Sequence, residues 1–141
     1  MRAWLFLISS TAFAATCVTP QDCTEWLKLG GGPDMSMIYR SHPLTVKNDR
    51  VKRAVIVIHG QGRNADDYFR TMLAAAFLAG ALDDTIVISP RFASNDGRGC
   101  KDALAEGEVN YRCSGDSWRS GAVSLNNKNV TSYDFTDEIL R

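Results

Sequence analysis

The chain has 141 residues, and its 16 lysines and arginines balance 16 acidic residues, so the formal net charge is zero. An apolar content of 45% is ordinary for a single globular domain. The charge balance argues against a basic nucleic-acid-binding surface, and no apolar run is long enough to cross a membrane as a helix of the mature protein.

The first fourteen residues have the pattern of a secretory signal. Arg2 supplies a positive charge, residues 3–8 begin a short apolar core, and residues 12–14 (AFA) form a small-x-small cleavage sequence. We therefore predict a signal peptide over 1–14 and a secreted or periplasmic protein that has no membrane association after cleavage. The alternative is a buried N-terminal strand or helix.

Four cysteines agree with export, because an exported chain meets an oxidising environment. Of the three possible pairings we predict the local one, Cys17–Cys23 with Cys100–Cys113, since each pair closes a short loop. The first pair would staple an N-terminal segment over 15–34. A metal site is the rival interpretation, but no Cys-x-x-Cys spacing occurs and both histidines lie far from the cysteines in sequence, so we predict no metal.

The middle of the chain predicts a strand–helix–strand unit. A short helix is possible over 24–28, and a half-buried strand is expected over 35–41. A run of β-branched residues predicts a buried strand over 53–58, and apolar residues at helical spacing predict a helix over 65–79. Another buried strand follows over 85–89. The two buried strands should therefore be parallel neighbours.

The last third of the chain has little periodicity. Residues 91–130 contain the loop that the predicted Cys100–Cys113 disulfide would close. A long irregular segment in a compact domain is usually functional or mobile. A helix is expected after Ser132. A helix that follows such a unit normally returns to a third parallel strand, so we interpret the chain as the front part of a longer protein; a true terminus on a small docked helix is the alternative.

The turn between the first buried strand and the helix predicts a site for negative charge. Gly60 and Gly62 permit a tight turn, and Asn64 is a good N-cap, so backbone N–H groups should point above the turn. One interpretation is a dinucleotide fingerprint, because residues 60–65 (GQGRNA) fit Gly-x-Gly-x-x-Ala. That fingerprint also expects an acid at the end of the second strand, where this chain has residues 89–91 (SPR).

The other interpretation comes from a resemblance. Residues 55–69 (VIVIHGQGRNADDYF) look like the His-Gly segment after the third strand of secreted α/β-hydrolase-fold proteins. The similarity continues through 88–92, resumes at 115–118 (GDSW) with Gly121, and includes 131–140. It implies the N-terminal part of an α/β-hydrolase domain over 35–141. The expected fold class is α/β, a partial α/β-hydrolase fold with a mostly parallel sheet and flanking helices, truncated before the nucleophile elbow.

The resemblance also implies roles for particular residues. The backbone N–H of Gln61 would be one oxyanion donor, and the residue after a nucleophilic serine would supply the second. His59 would be structural and would orient the turn beside Gly60. Trp118 would line the substrate pocket, and an aromatic side chain that only packs in the core is the alternative. The substrate of the full-length protein would be a small ester-like molecule, and no cofactor is expected.

The chain departs from that family in one large respect. It contains no Gly-x-Ser-x-Gly, and both histidines precede the place where this elbow should be, so nucleophile, acid and base are all missing. We therefore predict the N-terminal fragment of an exported serine hydrolase, inactive by itself. The alternatives are a non-catalytic secreted binding module that uses 91–130 as its contact surface and, with less support, a dinucleotide-binding domain.

Overall fold

The computed structural model describes residues 15–115 and 117–141, so the predicted signal over 1–14 lies outside the described residues. Four strands and two helices form in chain order: β1 Thr24–Lys28, β2 Met35–Arg40, β3 Arg53–Ile56, α1 Ala65–Leu78, β4 Thr85–Pro90 and α2 Ser132–Ile139. Short 3-10 turns precede β4 at Leu82–Asp84 and precede α2 at Trp118–Ser120. No helix in the described part of the chain is long and apolar enough to cross a membrane.

The sheet is mixed, and the expected fold class is therefore wrong. Its strand order is β1-β2-β4-β3, and only β3 and β4 are parallel, whereas β1 with β2 and β2 with β4 run antiparallel. One parallel pair among three, flanked by two helices, is a small mixed sheet and not the mostly parallel sheet of a partial α/β-hydrolase fold.

The antiparallel pairing of β1 with β2 follows from a chain reversal between the two strands. Gly30 and Gly31 adopt left-handed φ angles of 63° and 73°, which lets the chain reverse so that Thr24 pairs with Tyr39. The short helix considered over 24–28 is wrong, because this segment is strand β1.

The predicted strand–helix–strand unit is confirmed: β3 and β4 pair in parallel from Arg53 with Thr85 onward, and α1 joins them.

Side-chain alternation along β4 divides the core between the two faces of the sheet. Val87 packs with Phe69 and Leu73 of α1 in one apolar cluster, whereas its neighbour Ile88 belongs to the other. That second cluster contains buried side chains from 91–130 and from α2: Phe92, Val109, Tyr111, Trp118, Val130, Phe135 and Ile139. The irregular segment 91–130 therefore supplies the core of one face of the sheet.

Two disulfides form, Cys17–Cys23 and Cys100–Cys113, with Cα atoms 5.6 and 6.0 Å apart. The predicted local pairing is confirmed. Disulfides of this kind fit an oxidising compartment.

Candidate functional site

The turn that joins the end of β3 to α1 has the tight geometry that its glycines predict. The carbonyl of Gly60 accepts a hydrogen bond from the N–H of Arg63 at 3.0 Å. Arg63 has a left-handed φ of 50°, which is uncommon for a residue with a side chain. A Cβ on Gly60 would lie 3.0 Å from the hydroxyl oxygen of Tyr68, so glycine lets the first turn of α1 approach the backbone.

Two backbone donors of this turn are available to a ligand. Within 15–115 and 117–141, the N–H groups of Gln61 and Gly62 donate to no acceptor, and both residues are exposed. Unused N–H groups at the entrance to a helix favour an oxygen that carries negative charge. The turn can therefore hold an anionic oxygen, and the specific role of Gln61 as an oxyanion donor stays a prediction.

His59 is fixed by both of its ring nitrogens. Nε2 accepts a hydrogen bond from the N–H of Phe92 at 3.1 Å, so the ring proton must be on Nδ1, which donates to the carbonyl of Gly60 at 2.9 Å. Burial lowers the pKa of His59, and the positive charge of Arg63 adds to this effect. The imidazole is neutral and fully used, a geometry that suits a structural role and leaves no nitrogen to accept a substrate proton.

A second set of bonds holds the turn through Arg63. Its Nε and Nη2 donate to the two carboxylate oxygens of Asp102 at 2.8 and 2.9 Å, and Asp102 also accepts from the N–H of Ser94 at 2.8 Å. Burial would raise the pKa of Asp102, but these hydrogen bonds outweigh it and hold the pKa below its usual value. Sequence reasoning missed Asp102, which lies 39 residues from its partner.

Asn64 does not cap α1 as predicted. Its side chain makes no capping hydrogen bond to the backbone of the first turn, and its Nδ2 instead donates to the carboxylate of Asp67 at 3.0 Å. The amide therefore braces an acidic side chain and satisfies no N–H group of the first turn of the helix.

Trp118 lies beside this turn and lines a small cleft. Its ring centroid is 4.9 Å from that of His59 and 5.0 Å from that of Phe92, and its side chain is buried. The cleft has a volume of about 130 Å³ and is lined by Ile58, Phe92, Trp118, Arg119, Ser132, Tyr133 and Thr136. Ile58, which lines the cleft, is three residues before Gln61, so the Cα atoms of these two residues are at most roughly 11 Å apart. The cleft is therefore close to the N–H of Gln61.

No nucleophile–base pair accompanies the turn in the residues described. Ser117 Oγ accepts from the backbone and side chain of Arg119, and Ser132 Oγ donates to the carbonyl of Trp118. In 15–115 and 117–141 neither histidine hydrogen-bonds to a serine or a cysteine. The described site can stabilise charge but holds no activated nucleophile.

One group of side chains has the donor types of a metal site. A carboxylate oxygen of Asp96 and the sulfurs of Cys100 and Cys113 lie within 4.8 Å of one another. Both sulfurs are joined in a disulfide, and a metal needs thiolate ligands, so this group could bind an ion only after reduction.

Comparisons with known proteins matched no family model, no curated protein and no solved structure.

Proposed function

We propose that the turn over 60–64 binds the oxyanion in an exported serine hydrolase that acts on small ester-like substrates. In this proposal the nucleophile, acid and base lie outside the 141 residues. The observation that carries it is the exposed, unused N–H of Gln61 on a turn that is braced from both sides.

The bracing matters because electrostatic catalysis depends on donors that need no reorganisation during the reaction. His59 ties the turn to the N–H of Phe92, and Arg63 ties it to Asp102. A single preorganised oxyanion donor is worth about 3 kcal/mol of transition-state stabilisation. The cleft beside Trp118 supports the proposal as well, since its apolar walls could receive the acyl group of an ester.

The mostly parallel sheet that the hydrolase resemblance implied is wrong, so the sheet gives the proposal no support. Export is part of the proposal, and the two disulfides are compatible with it.

The dinucleotide-binding alternative is disfavoured by the end of β4. Arg91 stands where an acid would bind a ribose hydroxyl, and its guanidinium is paired with Glu108 at 3.1 Å. Asp83 and Asp84 lie before β4, at the opposite end of that strand from the turn. A positive side chain that is already paired cannot replace the missing carboxylate.

The test removes the backbone N–H of residue 61 and leaves the length of the turn unchanged. The entire natural reading frame is expressed with Gln61→Pro, which has no backbone N–H, and with Gln61→Ala as the matched control, which keeps it. We expect hydrolysis of p-nitrophenyl acetate to fall about 10²- to 10³-fold in kcat for the proline variant. The alanine variant should remain within about threefold of the wild type.

Labelling with a fluorophosphonate in the same proteins reports whether a reactive serine is present and folded. A reading frame without a Gly-x-Ser-x-Gly and a later histidine would overturn the proposal, as would full activity in Gln61→Pro. Either outcome would favour the non-catalytic binding module.

A further inference from the structure

The two disulfides have very different surroundings. Cys17–Cys23 packs against the apolar side chains of α1 and β4, in the cluster that contains Phe69. The sulfurs of Cys100 and Cys113 instead lie beside the guanidinium of Arg63, whose Nη1 contacts both of them. Nε and Nη2 of Arg63 are bonded to Asp102, so Nη1 is the donor that faces the sulfurs. An N–H of a guanidinium beside a sulfur stabilises the thiolate that forms when a disulfide opens.

The two sulfurs of this second bridge also differ in access. Cys100 is fully buried, whereas Cys113 is half-buried. An external thiolate can therefore reach Cys113 first, and Cys100 is then the sulfur that leaves.

A cleft with two arginines and one aspartate, and so a net charge of +1, lies next to Cys113. It has a volume of about 180 Å³ and is lined by Asp96, Arg98, Arg112, Ser114 and Leu125. The carboxylate of the aspartate, Asp96, lies within 4.8 Å of both sulfurs. The carboxylate of Asp96 already accepts the N–H groups of Arg98 and Cys113, at 2.9 and 3.2 Å. In the described residues the side chains of Arg98 and Arg112 form no ion pair, so both can contact an anion.

We propose that Cys100–Cys113 is a thiol–disulfide exchange site for small thiols that carry carboxylates. The arginine-lined cleft holds the carboxylates, and the thiolate attacks Cys113 Sγ. The bond between the two cysteine sulfurs breaks as the mixed disulfide forms, and the electron pair leaves on Cys100 Sγ as a thiolate beside Arg63. This inference does not depend on the function of the turn.

A second thiol completes the exchange. Its thiolate attacks the outer sulfur of the mixed disulfide, Cys113 leaves as a thiolate and takes a proton from water, and the two small thiols become one disulfide. Two small thiols are thereby oxidised by two electrons in total, and the protein disulfide is reduced by the same two electrons.

The test follows opening of each bridge in the full 141-residue chain with both disulfides formed. The probes are 3-mercaptopropionate and 2-mercaptoethanol, compared at equal thiolate concentration, and trapped products are located by peptide mass mapping. We expect Cys100–Cys113 to open at least about tenfold faster than Cys17–Cys23, with the mixed disulfide on Cys113. The carboxylate-bearing thiol should be about threefold faster than the neutral one.

Three variants separate the two arginine roles. Arg112→Gln should slow 3-mercaptopropionate more than 2-mercaptoethanol and so remove most of the preference, because the thiolate of the former carries two negative charges and that of the latter one. Arg63→Gln should slow both thiols about tenfold. Arg63→Lys keeps the charge but loses the paired bonds to Asp102, so its rate should lie between those of Arg63→Gln and the wild type. Arg70→Gln on α1 is the control and should change neither rate.

The direction of the Arg63→Gln effect is decisive. If Arg63 only holds the loop in place, its loss loosens the bridge and opening becomes faster. Faster opening in Arg63→Gln, a mixed disulfide on Cys100, or equal rates for the two bridges would each overturn the proposal.

Discussion

Two histidines are buried in this protein to nearly the same degree, yet their hydrogen bonding is opposite. His59 is 1% exposed and His42 is 4% exposed. Both ring nitrogens of His59 are bonded to backbone groups, one at 2.9 Å and one at 3.1 Å. Both ring nitrogens of His42 are buried, and neither has a partner among the residues described.

The difference teaches that burial alone does not indicate what a histidine contributes. His59 satisfies the N–H of Phe92 and the carbonyl of Gly60, so its ring joins the turn to the end of β4. His42 lies among Leu44, Val51 and Ile86 and satisfies no protein group there. A buried polar group without a partner costs about 1–3 kcal/mol, so we expect His42 to contribute less to stability than His59.

The largest effect should come from replacing the bonded histidine. We expect His59→Leu to lower the free energy of unfolding by about 3 kcal/mol, because the buried N–H of Phe92 would lose its acceptor and the carbonyl of Gly60 would lose one of its two donors. Urea denaturation measures this, with Arg70→Gln as an exposed control that should change little. A loss below about 1 kcal/mol would show that the ring bonds are not what holds the turn.

Acidification should affect both regions in the same direction. Burial lowers the pKa of His42 and of His59, with Arg50 adding to the effect at the former and Arg63 at the latter. Below the ordinary histidine pKa of 6.5 the unfolded chain binds protons that the folded chain does not. Stability is therefore full above pH 6.5 and falls as the pH drops, by up to about 1.4 kcal/mol per pH unit for each histidine.

The measurement is urea denaturation at pH 7.5, 6.5 and 5.5 in the wild type and in His42→Leu. Removing His42 should reduce the slope below pH 6.5, since one of the two groups no longer titrates. Glu108 acts in the opposite direction, because burial raises its pKa, but it is present in both proteins and cancels in the difference. Equal slopes in the two proteins would contradict the expected shift at His42.

The sequence predicted the parts of the fold whose signals are local. Helix α1 and the parallel pairing of β3 with β4 follow from apolar periodicity within about forty residues. Strand β1 was missed because five residues are too few to show a period, and its strand state comes from pairing with β2. The mostly parallel sheet was wrong because the resemblance extended one local unit to the whole domain.

In the candidate site, too, the features with local sequence signals could be predicted and the contacts between distant residues could not. The tight turn could be predicted because glycine spacing is a local signal, whereas the brace from Asp102 depends on a contact between residues 39 apart. The unpartnered state of His42 could not be predicted either, because it depends on which groups the fold brings near the ring. Sequence patterns place backbone turns more reliably than they place the side chains that support them.

The smallest effect should come from the unpartnered histidine, and it should have the opposite sign. Leucine is apolar and similar in size, so His42→Leu should leave stability at pH 7.5 within about 1 kcal/mol of the wild type, with any change stabilising. His42→Asn is the matched control: it keeps a polar group in the same apolar surroundings and loses volume, so it should be destabilising. If His42→Leu instead lowers the free energy of unfolding by more than about 2 kcal/mol, the ring nitrogens of His42 are satisfied by bound water. The two histidines would then differ only in their hydrogen-bond partners, which are backbone groups for His59 and water for His42.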